Sequence, residues 1–372
     1  MPHSSRVGAL AAAAAIVAGS APLSGPSVGS LPTVKGPSSP AALAFDWPSF
    51  LARADPVWSW GGANATGVQP TEWVQSLFGG NGDLGFMLWA PTAGELQLHV
   101  NRQTLWDDRT PDLGLPYYLG NFALDQPRLP LGYFSITLGS GADLSAAAGR
   151  VSLWDAVASL NLTTARGSCA LAAWASAQHD RARGGADVVV LETSWSGGET
   201  CAVSWVPLPC ESTWSGNDKR YVFNPPPLNA SRVLNPETEL TTVSQPHLPV
   251  KGTWHSTAVL RSQLQPAAAA YVVTVSPVLG SQAAADAWAA AEVGAAVAAG
   301  LPALRAAHSA DWHAWWPAGG ALTVEYSALE AFWYTQLFKF RSGARPGVVH
   351  DLEGPWFIQD TPWPDLHWDM SA

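Results

Sequence analysis

The stretch GGNGDLGFMLWAPTAGELQLHVNRQTLW, from Gly79 to Trp106, shows how the larger part of this chain folds. Within it Leu96, Leu98 and Val100 alternate with polar residues, which is the period of a β-strand that has one buried face. Turn residues separate such runs from one another. We therefore predict a large antiparallel β-sandwich over residues 45–280. The same alternation recurs at Tyr133–Leu138 and Val188–Trp195.

Downstream of the sandwich the pattern becomes helical. Ser281–Gly300 is rich in Ala, and Leu301–Trp316 repeats apolar residues at helical spacing, so we predict two helices in a linker over residues 281–320. A short strand-like link at Ala321–Tyr326 then leads to a third helix at Ser327–Ser342. The predicted fold class is mainly β with α. Large apolar residues cover most of the third helix, which predicts burial on several sides: Phe332, Trp333, Leu337, Phe338 and Phe340.

The N-terminus has the layout of a cleavable signal peptide, with Arg6 in a polar lead, an apolar stretch from Ala9 to Ala18, and small residues after it. We assign residues 1–21 to this signal and residues 22–44, which are rich in Pro, Ser and Gly, to a disordered linker. A secreted protein is expected. The same composition also suits a transit peptide, which would direct the protein to an organelle lumen. Three sequons fit a secreted glycoprotein: Asn64, Asn161 and Asn229.

Composition restricts the partners. The charged fraction is 13%, about half of the ~25% that is usual for soluble proteins. The formal net charge of -10 disfavours nucleic acid and anionic membrane surfaces, and neutral or cationic ligands fit better. No segment after the N-terminal signal reaches the length of a membrane span without a charge or a breaker.

Three cysteines give no disulfide scaffold. Cys169, Cys201 and Cys210 leave at least one thiol without a partner in the chain. The sequence does not choose among the three pairings, and buried free thiols fit equally well.

The segment after Pro346 has the residue types of a carbohydrate cleft. It contains no Lys or Arg, and its carboxylates are set among Trp residues. Trp rings stack on the apolar C–H face of a pyranose, while carboxylates accept hydrogen bonds from its hydroxyls. The residues are Asp351, Glu353, Asp360, Asp365, Asp369, Trp356, Trp363 and Trp368.

Several motifs, in order along the chain, resemble one family. They are Gly79–Trp106, RVSLWDAVASLNL at Arg150–Leu162, HSADWHAWW at His308–Trp316, SGARPGVVHDLEGPW at Ser342–Trp356, and TPWPDLHWDM at Thr361–Met370. The first is similar to a G-N-G-x-L-G hairpin followed by an L-N-x-x-x-L-W strand end. The ordered set resembles the six-hairpin glycosidases, in particular glycoside hydrolase family 95 with its alpha-L-fucosidases and uncharacterised relatives.

The resemblance implies an N-terminal β-sandwich, a helical linker and an (α/α)6 toroid that begins at residues 321–372 and is truncated. It implies inverting hydrolysis of terminal fucose-like or related glycosides. In that family the last segment ends in Asn-x-Asn, where this chain has Asp369 and Ser371. The family's general acid is a Glu further along the toroid, so we expect a fragment that lacks it.

The resemblance also implies roles for the residues near the end. Asp369 is the candidate catalytic residue, as part of a base that activates water. Residue types alone favour a plainer interpretation, in which Asp365 caps a helix and the Trp residues belong to a core. Ser371 cannot imitate an amide, which puts fucose specificity in doubt. The predicted substrate-binding residues are Asp365, His367, Trp363, Trp368, Trp356 and Ser371.

Other sites are not expected. Asn81 and Asp83 suit turn geometry better than substrate contact, and no phosphate loop is present. His308 and His313 are five residues apart, off the spacing of two ligands on one helix face, so we predict no metal and no cofactor. The expected partner is a carbohydrate, and the sequence leaves the oligomeric state open. Another class of function fits as well: a non-catalytic carbohydrate-binding protein or a decayed glycosidase.

Overall fold

A computed structural model describes residues 45–61, 69–105, 128–144, 146–177, 185–208, 231–235, 239–248, 253–348 and 354–358. The chain divides into two units, Met1–Phe45 and Asp46–Ala372, and all elements named here belong to the second. The four helices of the described residues are α1 (Trp47–Leu51), α2 (Gln282–Ala299), α3 (Leu301–Gly319) and α4 (Ser327–Gly343). The strands are β1 (Val57–Trp60), β2 (Leu77–Gly80), β3 (Leu84–Thr92), β4 (Glu95–Arg102), β5 (Gly132–Leu138), β6 (Ala147–Ser152), β7 (Val157–Thr164), β8 (Gly167–Ala175), β9 (Val189–Gly197), β10 (Cys201–Pro207), β11 (Ser231–Asn235), β12 (Leu240–Leu248), β13 (Thr253–Gln265) and β14 (Ala268–Val275).

The strands form two antiparallel sheets, which confirms the predicted sandwich. The larger sheet has the order β1-β6-β7-β8-β9-β14-β13-β12-β11, and the smaller has the order β10-β5-β4-β3-β2. Leu96, Leu98 and Val100 face inward and are 1% exposed or less. They belong to one core cluster that also contains Leu160 and Leu171 of the larger sheet, so the sandwich is held by burial of both inner faces.

A disulfide joins the two sheets. Cys169 of β8 and Cys201 of β10 are bonded, with their Cα atoms 5.9 Å apart. Of the three pairings that the sequence leaves open, the structure therefore contains this one. Cys210 lies outside the described residues. The bond fixes the edge strand of the smaller sheet to the middle of the larger sheet.

The predicted linker helices are confirmed as α2 and α3. Ser281 caps α2 by accepting a hydrogen bond from the backbone of Ala284 at 3.2 Å, and Gly300, with φ +84°, ends it. Ala residues at helical spacing let α2 pack closely against β12, β13 and β14, on the outer face of the larger sheet. No single helix among the described residues is long and apolar enough to cross a membrane. The pair α2 and α3 meets that test of length and composition, but bends by 92°.

The strand-like link predicted before α4 is a short connection that does not join a sheet. Residues 321–326 have no sheet partner; instead, the backbone N–H and C=O of Leu322 both bond the hydroxyl of Tyr334, each at 2.7 Å. One side chain thus takes the place of a neighbouring strand.

Helix α4 occupies the predicted residues but is buried on one side instead of several. Phe338 is 1% exposed, and it packs on Trp312 of α3 and Phe78 of β2. Phe332, Trp333 and Phe340 are 60%, 48% and 59% exposed. The expectation of burial on several sides is therefore wrong in this structure, because the described residues pack against one face of the helix only.

Candidate carbohydrate cleft

A cleft of about 450 Å³ opens between the sandwich and α4. The sandwich side is aromatic. Trp58 comes from β1, Trp73 from the short 3-10 turn before β2, and Phe78 from β2. Trp356, from the segment after α4, is the fourth ring. The remaining lining residues of the cleft's sandwich side are Pro56, Val74, Ser76 and Met87.

Trp356 is the most firmly held of these rings. It is 5% exposed and packs with Met87 and Trp89 of β3. Its indole Nε1 donates to the carbonyl of Gly79 at 3.1 Å, and its ring meets Phe78 edge-on with centroids 5.3 Å apart. Because its indole N–H is satisfied by the sheet and its ring is buried, Trp356 forms a fixed part of the cleft's base.

The opposite wall is polar and belongs to one stripe of α4. Thr335, Gln336 and Lys339 line the cleft, and their spacing of three and four residues puts them on the same helix face. Lys339 also lies over Trp356, with its Nζ 5.9 Å from the ring centroid. The cleft therefore combines flat apolar rings on one wall with hydrogen-bonding side chains on the other.

A buried group of four charges fixes the segment that carries Trp356. Arg345, after α4, contacts Asp83 of the β2–β3 turn at 2.8 Å and Asp187 before β9 at 3.0 Å. Arg102 of β4 contacts the same two carboxylates, at 2.6 and 3.4 Å. Burial by itself would raise the pKa of Asp187, but Arg102 and Arg345 outweigh it and lower that pKa. We call these four residues the charge cluster.

The β2–β3 turn contacts the end of α4 and the residues around Pro355. Asn81 accepts hydrogen bonds from the backbone of Asp83 and Leu84, and it donates to Asp187 at 2.9 Å. Its predicted role in turn geometry is confirmed, and the structure adds a link to the charge cluster. Gly82 has φ +89°, and its N–H donates to the carbonyl of Ser342 at 2.8 Å. A Cβ at Gly85 would come within 2.5 Å of Pro355, so a side chain there would displace the segment.

Three buried polar side chains complete the attachment. Asn101 donates to the carbonyl of Phe357 at 2.6 Å, and Gln103 donates to that of Gly343 at 2.9 Å. Arg128 donates to the carbonyl of Gly354 and lies 4.2 Å from the centroid of Phe357. Their bonds satisfy backbone groups of an irregular segment that would otherwise be buried without partners.

The HSADWHAWW motif has a structural role in α3. The Nδ1 of His308 accepts from the backbone N–H of Ala177 at 3.2 Å, and its Nε2 contacts the carbonyl of Ala156 at the same distance. Burial lowers the pKa of His308 to about 4, so the ring is neutral at pH 7. His313 stacks on Trp154, with centroids 4.0 Å apart. The motif thus fastens α3 to the β6–β7 turn.

The outer face of the smaller sheet carries a stack of rings beside the cleft. His99 lies between Trp89 and Tyr133, with ring centroids 4.2 and 4.8 Å away. Its Nε2 contacts Gln97 at 3.0 Å. Burial lowers the pKa of His99 to about 3, so this ring is also neutral. The stack supports Trp89, which in turn packs beside Trp356.

Of the predicted site residues, the structure describes Trp356 and places it in the cleft. Its partners in the cleft were missed. Trp58, Trp73 and Phe78 lie far from Trp356 in sequence, and the sequence signal that would have pointed to them is their aromatic character alone. The other predicted residues lie outside the described part of the chain: Asp365, His367, Trp363, Trp368, Asp369 and Ser371.

The described lining contains no carboxylate. The aromatic rings and the α4 stripe are therefore suited to hold a ligand, and they do not by themselves supply an acid–base pair. Within the described ranges, no group of three or more His, Cys, Asp or Glu side chains is placed to hold a metal ion.

Comparisons with known proteins give a distant likeness. No protein-family model matches the chain, and no curated protein matches it. A solved structure described as "Putative kojibiose phosphorylase from human microbiome" superposes with a TM-score of 0.44 at 9% sequence identity. The match covers 72% of this chain and 36% of that one, so this chain spans little more than a third of its length. A likeness of this size does not identify an activity.

Proposed function

We propose that this protein acts on carbohydrates as a glycoside hydrolase, and that the cleft between the sandwich and α4 is a saccharide-binding subsite. The observation that carries the proposal is the pairing of two unlike walls. Trp58 and Trp73, which are partly exposed, offer stacking faces, and Gln336 and Thr335 offer hydrogen-bonding groups across a cleft of about 450 Å³. Ligand pockets commonly have volumes of about 300–1,000 Å³ and combine such apolar and polar parts.

The chemical step is proposed from the sequence. Asp369 supplies the carboxylate that activates water for inverting hydrolysis of a terminal fucose-like or related glycoside, with Asp365 and His367 binding sugar hydroxyls. The order of motifs that resemble glycoside hydrolase family 95 supports this proposal. An inverting reaction also needs a general acid, about 6.5–9.5 Å from the base.

The protein is proposed to be secreted. The signal-like N-terminus supports this location, and so does the Cys169–Cys201 disulfide, since such bonds persist in oxidising compartments.

Saccharide binding is tested first, because it depends on described residues. Binding of a panel of neutral and acidic oligosaccharides to the full chain is measured by calorimetry for the wild type, Trp73→Ala and Trp333→Ala. Losing one stacked ring should weaken binding at least tenfold, or about 1.4 kcal/mol. Trp333 is the matched control, since it is 48% exposed and is not among the residues that line the cleft.

The Trp333→Ala control separates a loss of binding in the cleft from a general effect on the protein. Equal affinities for the wild type and Trp73→Ala would refute the assignment of the cleft. An equal loss in Trp333→Ala would point to a general effect on folding or on another surface. Hydrolysis is tested separately by sugar release from the same panel, which Asp369→Asn should lower by about two to four orders of magnitude.

A non-catalytic carbohydrate-binding protein is the second candidate. It is favoured by one observation: no carboxylate lines the described cleft. Saccharide binding that depends on Trp73, together with sugar release that Asp369→Asn leaves unchanged, would support this candidate over the hydrolase.

A further inference from the structure

Among the described residues that line the cleft, one is charged. Lys339 stands on the polar stripe of α4, one turn after Thr335 and Gln336. No carboxylate joins it in the lining, and Lys339 forms no ion pair with any Asp or Glu of the described ranges. Its ammonium group therefore lines the cleft without a carboxylate partner among the described residues.

The position of Lys339 relative to Trp356 sets what it can reach. Its Nζ lies 5.9 Å from the centroid of that ring, which is within cation–π range. A sugar ring stacked on Trp58 or Trp73 would lie in the same cleft as the side chains of Thr335, Gln336 and Lys339. The ammonium would then face a ring substituent, while Gln336 and Thr335 face hydroxyls.

The overall charge of the protein does not favour an anionic ligand, since a net charge of -10 favours neutral or cationic ligands. The long-range field of the net charge and the contact interaction of Lys339 act over different distances. Exposed charges farther away than about 8 Å are largely screened at physiological ionic strength. Lys339 acts at contact distance, where screening is weak, and so it decides the local preference even though the long-range field is negative.

We propose that the cleft selects an acidic saccharide, in which a carboxylate or sulfate on the sugar pairs with Lys339. The inference rests on the proposed saccharide-binding function and adds the substrate class. Its basis is the juxtaposition of one ammonium with aromatic rings among described lining residues that include no carboxylate. The shared chemistry is a single oxyanion attached to a pyranose.

The experiment compares matched ligands. Affinities for a glucuronide, a sulfated glucoside and the corresponding neutral glucoside are measured by calorimetry at low and moderate salt. The variants are Lys339→Gln, Lys339→Arg and Arg166→Gln. Arg166 is exposed in the β7–β8 turn and does not line the cleft, so Arg166→Gln makes the same change of net charge elsewhere.

The expected result is a preference of the wild type for at least one acidic sugar of about fivefold at low salt, the size of one exposed ion pair. Lys339→Gln should abolish it and leave neutral-sugar affinity within about twofold, whereas Lys339→Arg and Arg166→Gln should keep it. The glucuronide and sulfate arms show which oxyanion is selected.

Other outcomes overturn the inference in distinguishable ways. Equal binding of acidic and neutral sugars would contradict this inference and leave the proposed function intact. Binding of inorganic phosphate to Lys339 without competition from any sugar would show a free-anion site instead. If no saccharide binds to the wild type, the proposed function fails, and the inference fails with it.

Discussion

Removing Arg345 should destabilise the protein strongly, because this residue completes the charge cluster. In Arg345→Met the side chain keeps most of its volume, and its two charged contacts, with Asp83 at 2.8 Å and Asp187 at 3.0 Å, are lost. The two carboxylates, whose side chains are 1% and 8% exposed, then face Arg102 alone.

The expected loss of unfolding free energy follows from the burial of these ion pairs. Breaking a buried ion pair by removing one partner costs about 3–5 kcal/mol, chiefly because a charge is left buried without compensation. Met limits the additional cost of a cavity. We therefore expect Arg345→Met to lower the free energy of unfolding by about 3–5 kcal/mol at pH 7. Adding Asp187→Asn removes one surplus negative charge, so the double variant should lose less than the sum of the single variants.

The assay is urea unfolding followed by Trp fluorescence. The matched control is Arg261→Met, which breaks an ion pair with Glu239 whose side chains are 35% and 46% exposed. That change should cost no more than about 1 kcal/mol. A cost for Arg345→Met that is as small as the control, or strict additivity with Asp187→Asn, would refute the reasoning from burial.

Two further predictions concern acid and redox conditions. Burial lowers the pKa of His308 to about 4 in the folded protein, against about 6.5 for an unperturbed histidine, so the unfolded chain binds a proton first as pH falls. Stability should therefore decline from pH 6.5 towards 4, by about 3 kcal/mol in total. His308→Gln should flatten this slope in unfolding titrations. Reducing the Cys169–Cys201 bond, which closes a separation of 32 residues, should cost about 3–4 kcal/mol. A melting temperature unchanged by reductant would contradict that expectation.

The local elements could be predicted from the sequence with good accuracy. Helices predicted at Ser281–Gly300, Leu301–Trp316 and Ser327–Ser342 are found at Gln282–Ala299, Leu301–Gly319 and Ser327–Gly343. Periodicity, a Ser cap and a Gly stop act within one or two turns of chain, so they can be identified without tertiary information. The link at residues 321–326 shows the limit of this approach, since the sequence does not reveal that the hydroxyl of Tyr334 bonds the backbone of Leu322.

The candidate site could be predicted only in part. Trp356 was identified from its acidic, Trp-rich surroundings. The residues that hold and face it were not, because Trp58, Trp73 and Lys339 come from separate elements and have no common pattern in the sequence. Asn81 was correctly assigned to turn geometry. The role of Gly80 and Gly85, which leave room for Ser342 and Pro355, depends on residues that lie far away in the sequence.

The amino-acid sequence alone defines the sandwich, the linker helices and the position of α4, since hydrophobic periodicity and caps are local properties. It does not define which cysteines pair, which face of α4 is covered, or which carboxylates are matched by Arg345. Those features require groups distant in sequence to be brought within a few ångströms. Close packing and the cost of unpaired buried charge then select one arrangement, and the charge cluster and the aromatic cleft belong to it.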